Sequence, residues 1–118
     1  MPGSADLHYA LGLSLTRSHR AGEALDELKR AAALASANAR FAYAYALALN
    51  GAGRADEAIR VLGSTLASHP QDRDVLFALA SFERDAGRLA AAREHAALLV
   101  RRFPNDEEAR ALYRSLIP

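Results

Sequence analysis

The stretch Gly53-Arg54-Ala55-Asp56-Glu57-Ala58 ends one helix and begins another. Altered forms of it stand at His19-Arg20-Ala21-Gly22-Glu23-Ala24 and at Gly87-Arg88-Leu89-Ala90-Ala91-Ala92, so the motif recurs at a constant spacing of 34 residues. A fixed period of that size marks an array in which one supersecondary unit stacks on copies of itself. On this period the chain divides into 5–38, 39–72 and 73–106, with 107–118 left over.

Each full segment carries two apolar-periodic helices on either side of the motif. The first helices are expected at about 5–18, 39–52 and 73–86, and the second at about 21–35, 55–68 and 89–102. Gly53 and Gly87 suit the left-handed position just past a helix end, which glycine occupies without a side-chain clash. His19 holds that place in the first segment, so its turn is expected to be strained or differently built. Pro70 and Pro104 stop second helices, and Asp72 and Asp106 are placed to cap the helices that follow. No strand alternation, low-complexity tract or linker interrupts the pattern, and the chain reads as all helix with short turns.

Composition narrows the function classes. At 118 residues, 51% apolar and 25% charged, the sequence reads as one soluble domain spanning 1–118. Its net charge of +1 provides no global field for nucleic acid or anionic lipid. The absence of cysteine rules out a disulfide framework, a thiolate metal site and a cysteine nucleophile. No apolar run approaches the roughly 18 residues of a membrane span.

The segments resemble tetratricopeptide repeats over essentially the whole chain. At the seventh and eighth places of the 34 stand Leu11-Gly12, Tyr45-Ala46 and Leu79-Ala80, and at the twentieth Ala24, Ala58 and Ala92. The twenty-fourth place holds Leu28, Leu62 and Ala96, the twenty-seventh Ala31, Thr65 and Leu99, and the closing proline is Pro70 and Pro104, with Ser36 in the first repeat. The sequence departs from the family at the fourth place, where His8, Ala42 and Leu76 replace tryptophan. It departs again at the eleventh place of the third repeat, where Glu83 stands for an apolar residue. The resemblance implies an all-α solenoid of helical hairpins with seven helices, wound as a right-handed superhelix.

It also implies how the ends are finished. The remaining segment, 107–117, is expected as a capping helix: Arg110 and Arg114 occupy places that otherwise pack on a second helix, whereas Ala109, Tyr113 and Leu116 face the preceding repeat. Unpaired buried charge is costly, so the array is expected to stop there. At the other end Leu7 and Leu11 have no preceding repeat to cover them. They are either a small exposed apolar patch or an edge for an upstream domain, further repeats or a second copy of the chain.

By the same resemblance, the first helices line a concave groove through places 2, 5, 9, 12 and 13. Place 5 supplies the aromatic column Tyr9, Tyr43 and Phe77, and place 9 supplies Leu13, Leu47 and Ser81. Asp6, Arg40 and Asp74 stand at place 2, and Thr16, Asn50 and Arg84 at place 12. An apolar, aromatic floor with charged and amide edges suits an extended or helical peptide. One sub-family clamps the carboxylate of a chaperone tail with asparagine at place 6, but Ala10, Ala44 and Ala78 stand there, so no such receptor is expected. The four histidines, His8, His19, His69 and His95, fall at four different places without ligand spacing. Gly51-Ala52-Gly53-Arg54 ends a helix rather than following a strand, so it is not a phosphate loop. No nucleophile signature accompanies the serines. Arg93, Arg101, Arg102, Arg110 and Arg114 are interleaved with Glu94, Glu107 and Glu108, as on a solvated face.

The expected function is a non-catalytic protein–protein interaction module, with no cofactor, metal, nucleic acid or membrane partner. The alternatives are a C-terminal accessory or assembly domain of a larger bacterial enzyme or electron-transfer protein, and an oligomerisation scaffold through Leu7 and Leu11.

Overall fold

Four short polar side chains set 34 residues apart begin the leading helix of each unit. Ser4, Asn38, Asp72 and Asp106 each accept from the backbone N–H three residues on, at Leu7 (3.4 Å), Phe41, Val75 and Ala109 (3.1 Å each). Each satisfies one of the donors that a helix start leaves unpaired. The computed structural model describes residues 4–118, and among them lie seven α-helices. They are α1 (Ala5–Arg17), α2 (Ala21–Leu34), α3 (Ala39–Gly51), α4 (Ala55–Ser68), α5 (Arg73–Asp85), α6 (Leu89–Arg102) and α7 (Glu107–Arg114). The leading helices end a residue before the periodicity predicts, because Ser18, Ala52 and Ala86 are the half-in residues that close them.

The three inner turns are built alike. His19, Gly53 and Gly87 have φ of 61°, 79° and 81°. In each, the next N–H reaches back to the carbonyl five residues earlier: Arg20 to Leu15 (2.9 Å), Arg54 to Leu49 (2.9 Å) and Arg88 to Glu83 (2.8 Å). This is the Schellman closure of a helix end. The first turn is therefore not differently built; His19 carries the left-handed strain that glycine would avoid. Within the deciding motif, Arg54 forks onto Glu57 (2.7 and 2.8 Å), and Arg20 onto Glu23 in the same way (2.9 and 2.8 Å). Arg88 has Ala91 at the equivalent place and reaches back one unit to Asp56 instead (2.6 Å).

Helices α1/α2, α3/α4 and α5/α6 form three hairpins, each packed on the next, and α7 lies on α6. The stack measures 49 × 25 × 22 Å. One buried cluster joins the second hairpin to α5 through Leu49, Ala58, Leu62, Val75 and Leu79. A second joins the third hairpin to α7 through Leu76, Ala96, Leu99, Ala109, Leu112 and Leu116. Neither contains a residue of α1 or α2, although partly buried Leu25 packs against the first. Within the first hairpin α1 comes close to α2 over Gly12, where an added Cβ would lie 2.7 Å from Leu28 Cγ and Cδ2.

The family departures are repaired in place. Glu83 is 5% exposed and accepts from His95 Nδ1–H at 2.6 Å. His8, at the tryptophan place, donates from Nδ1 to Glu27 at 2.6 Å. The last helix is shorter than expected, ending at Arg114 rather than Ile117. The chain beyond it is nonetheless tied down, since Arg84 donates to Ser115 Oγ (3.2 Å) and Arg93 Nε donates to the Leu116 carbonyl (2.8 Å). Ala109 and Leu116 are buried and Tyr113 partly so. Arg110 and Arg114 stay exposed, paired with Glu107. Among the described residues no helix is long and apolar enough to cross a membrane.

Candidate binding groove

The leading helices α1, α3 and α5 stand side by side, because each hairpin turns the chain back to the same starting edge. Tyr9 of α1 stacks on Phe41 of α3, with ring centroids 4.7 Å apart and planes at 30°. Arg73 covers the Phe77 ring at 4.6 Å. The aromatic column is thus not uniform: Tyr9 leans on the next hairpin, Tyr43 is partly buried against the cluster that joins the second hairpin to α5, and Phe77 has a guanidinium on its face.

Two hollows divide the groove lengthwise. Near the N-termini of the leading helices, Tyr9, Ala39, Arg40, Tyr43, Asp72 and Asp74 surround about 190 Å³. Towards their C-termini lies a larger hollow of about 430 Å³. Leu13, Leu28, Ala44, Leu47 and Ala48 are its main apolar walls, with Thr16, His19, Ala21, Ala24, Gly51 and Ala52 completing it. Of the residues expected at the groove, Tyr9, Arg40, Tyr43 and Asp74 come together in the first hollow, and Leu13 and Leu47 in the second. Asn50, Phe77, Ser81 and Arg84 are partly buried and line neither. Arg84 is engaged by Asp85 (3.1 Å) and Ser115. Sequence reasoning missed the alanine and glycine wall of the larger hollow, and Leu28 and His19 with it.

The smaller hollow is electrostatically acidic. Arg73 beside it is held by Asp106 (2.7 Å), Asp74 (3.1 Å) and Glu108 (3.0 Å), which raises its pKa above the ordinary arginine value. Burial pushes the Tyr43 phenol up, with Asp74, Asp72 and Glu108 adding to the shift and Arg73 opposing it. The larger hollow is walled mostly by carbon, and Thr16 spends its hydroxyl on the Gly12 carbonyl (2.9 Å).

At the opposite edge Leu7 and Leu11 are 58% and 44% exposed. Leu11 shares a shallow cavity with Leu15 that is ringed by Arg20, Glu23, Asp26, Glu27 and Arg30. The histidines are absorbed by the fold: His8 and His95 pair with carboxylates, His69 Nε2–H donates to the Ala37 carbonyl (2.8 Å), and His19 makes a turn.

The model of the family described as Tetratricopeptide repeat matches residues 15–75 and 49–116, and the chain belongs to that family. No curated protein sequence is significantly similar to it. Among solved structures, the tetratricopeptide domain of Arabidopsis OM64 superposes with a TM-score of 0.85 at 13% identity, covering 96% of this chain and 93% of that one. The first such domain of Spaghetti (RPAP3), solved with the HSP90 peptide SRMEEVD, gives 0.87 at 15% identity over 96% and 90%. The Yersinia enterocolitica type III secretion chaperone SycD, solved with a peptide of the translocator YopD, gives 0.82 at 17% identity over 94% and 90%.

Proposed function

We propose that residues 1–118 act as one protein-interaction module, taking a peptide or a segment of a partner protein into the groove of α1, α3 and α5. The observation that carries this reading is the pair of hollows on one face, one aromatic and charged around Tyr43, the other aliphatic around Leu47. A peptide laid along them would meet apolar anchoring sites and orienting polar groups together, which is the composition of peptide-binding clefts. Two proteins of the same fold were solved with peptides bound, which supports this use of the fold. The missing asparagine at place 6 argues against a chaperone-tail carboxylate as ligand.

Selection from a displayed random peptide library on the wild-type chain tests the reading. Peptides recovered on the wild type should bind Tyr43→Ala at least tenfold more weakly while its helicity is unchanged. Equal binding to both proteins would remove the groove from the account.

The exposure of Leu7 and Leu11 favours a second use of the chain, self-association through the first hairpin's edge. Sedimentation showing a monomer at all concentrations, for the wild type as for Leu7→Glu, would sink it.

A further inference from the structure

The larger hollow exists because one side chain is small. The tenth residue of each leading segment after the first faces the hairpin before it, and these residues are Ala48, Phe82 and Leu116. Phe82 packs against the cluster that contains Ala58 and Leu62, and Leu116 is buried in the cluster that contains Ala92 and Ala96. Ala24 and Leu28 are the equivalents of those pairs in the first hairpin, and both line the hollow beside Ala48. Two of the three joints in the stack are therefore filled from within by a phenyl or isobutyl group. The first joint keeps the same walls and lacks the filler.

We propose that this hollow is the seat for an aromatic side chain of the bound peptide, one that also carries a basic residue about three positions away. This rests on the groove reading and names the chemistry of its ligand. The size fits: an apolar cavity of about 150 Å³ already admits benzene, and this one measures about 430 Å³ and is open to the groove. The chemistry fits, because its walls are almost entirely aliphatic and the chain's own Phe82 occupies the matching position one unit later. The cation follows from the acidic hollow alongside. Asp72 and Asp74 face it, and with Asp106 and Glu108 they make four carboxylates against two cations, Arg40 and the Arg73 that engages Asp74, Asp106 and Glu108, so the region keeps a net negative charge. The α3 residues lining the two hollows, which fall within 39–43 and 44–51, are centred about seven residues apart. That is roughly 10 Å along a helix, or about three residues of extended peptide.

Two probes test this. Indole titrated into the wild-type chain should shift the methyl resonances of Leu13, Leu28 and Leu47, and Ala48→Phe, which supplies the missing filler, should abolish the shifts. Peptides selected on the wild type should be enriched in phenylalanine or tryptophan with a nearby lysine or arginine, and should bind Ala48→Phe at least tenfold more weakly. Should Ala48→Phe lose helicity, Ala48→Leu, which installs the group Leu116 provides at the last joint, serves in its place. Indole shifts no larger in the wild type than in the filled variant would overturn the proposal. Peptides that lose affinity on Tyr43→Ala but bind Ala48→Phe unchanged would also overturn it, and would leave the groove reading standing. Peptides indifferent to both substitutions would overturn the two together.

Discussion

Glu83 and His95 meet across the third hairpin at 2.6 Å, and the carboxylate is buried to 5% exposure at a place where the family carries an apolar side chain. A buried acceptor left without its donor costs about 1–3 kcal/mol. His95→Ala is expected to destabilise the chain by that much in urea titration. Glu83→Leu with His95→Leu, which removes both polar partners, should recover most of the loss. Equal losses in the single and double variants would show that the loss does not come from an orphaned carboxylate.

His19 holds φ at 61° where Gly53 and Gly87 hold 79° and 81°. A non-glycine residue there costs about 1 kcal/mol. His19→Gly should accordingly raise stability by about 1 kcal/mol, and Gly53→Ala and Gly87→Ala should lower it by a similar amount. A thermal melt of the three variants is sufficient to check the signs.

Gly12 sits where the other hairpins carry Ala46 and Ala80, and its missing Cβ would lie 2.7 Å from Leu28 Cγ. Alanine gains about 1 kcal/mol in helix propensity, but overpacking a buried leucine costs about 1–3 kcal/mol, and Leu28 is only 2% exposed. Gly12→Ala is expected to be net destabilising. Combined with Leu28→Ala it should reproduce the Ala80–Ala96 arrangement of the third hairpin, so the double variant should cost less than the sum of the singles. Strict additivity would show that the close approach does not matter.

Four carboxyls are held below their ordinary values: Glu27 by its hydrogen bond from His8, Glu57 by Arg54, Asp106 by Arg73 and Glu107 by Arg110. A depressed folded-state pKa contributes stability that is present above the unfolded value, 4.5 for Glu and 3.8 for Asp, and is lost as pH falls through the folded value. Denaturant midpoints should hold between pH 7 and about 5 and fall below about 4.5. Asp106→Asn should flatten the lower part of that fall, and an unchanged slope would show that the carboxylate's charge is not coupled to folding.

Periodicity made the hairpins, their order and their boundaries legible, because a helix reports its buried face at every third or fourth residue. The caps Asp72 and Asp106 were legible as acids before apolar runs. Ser4 and Asn38 do the same work and needed the 34-residue register to be noticed. Glu83 read as a misfit because its partner His95 lies across a turn and nothing in linear spacing announces the pair. The groove was only partly legible. Tyr9, Arg40, Tyr43 and Asp74 do share a hollow, but the larger hollow is made by small residues, and a pattern search looks for what is large. The one available signal was alanine at position 48, in register with Phe82 and Leu116.

That alanine also has a mechanical meaning. A linear stack holds together by the sum of its units and the joints between neighbours, and both buried clusters lie beyond the first hairpin. The joint beneath Ala48 lacks the filler that the other two carry, so α1 with α2 is expected to open before α3 to α6, which faster amide exchange in the first hairpin would show. A ligand wedged into that joint would bind only the closed array, and would therefore fasten the first hairpin to the rest of the stack by mass action.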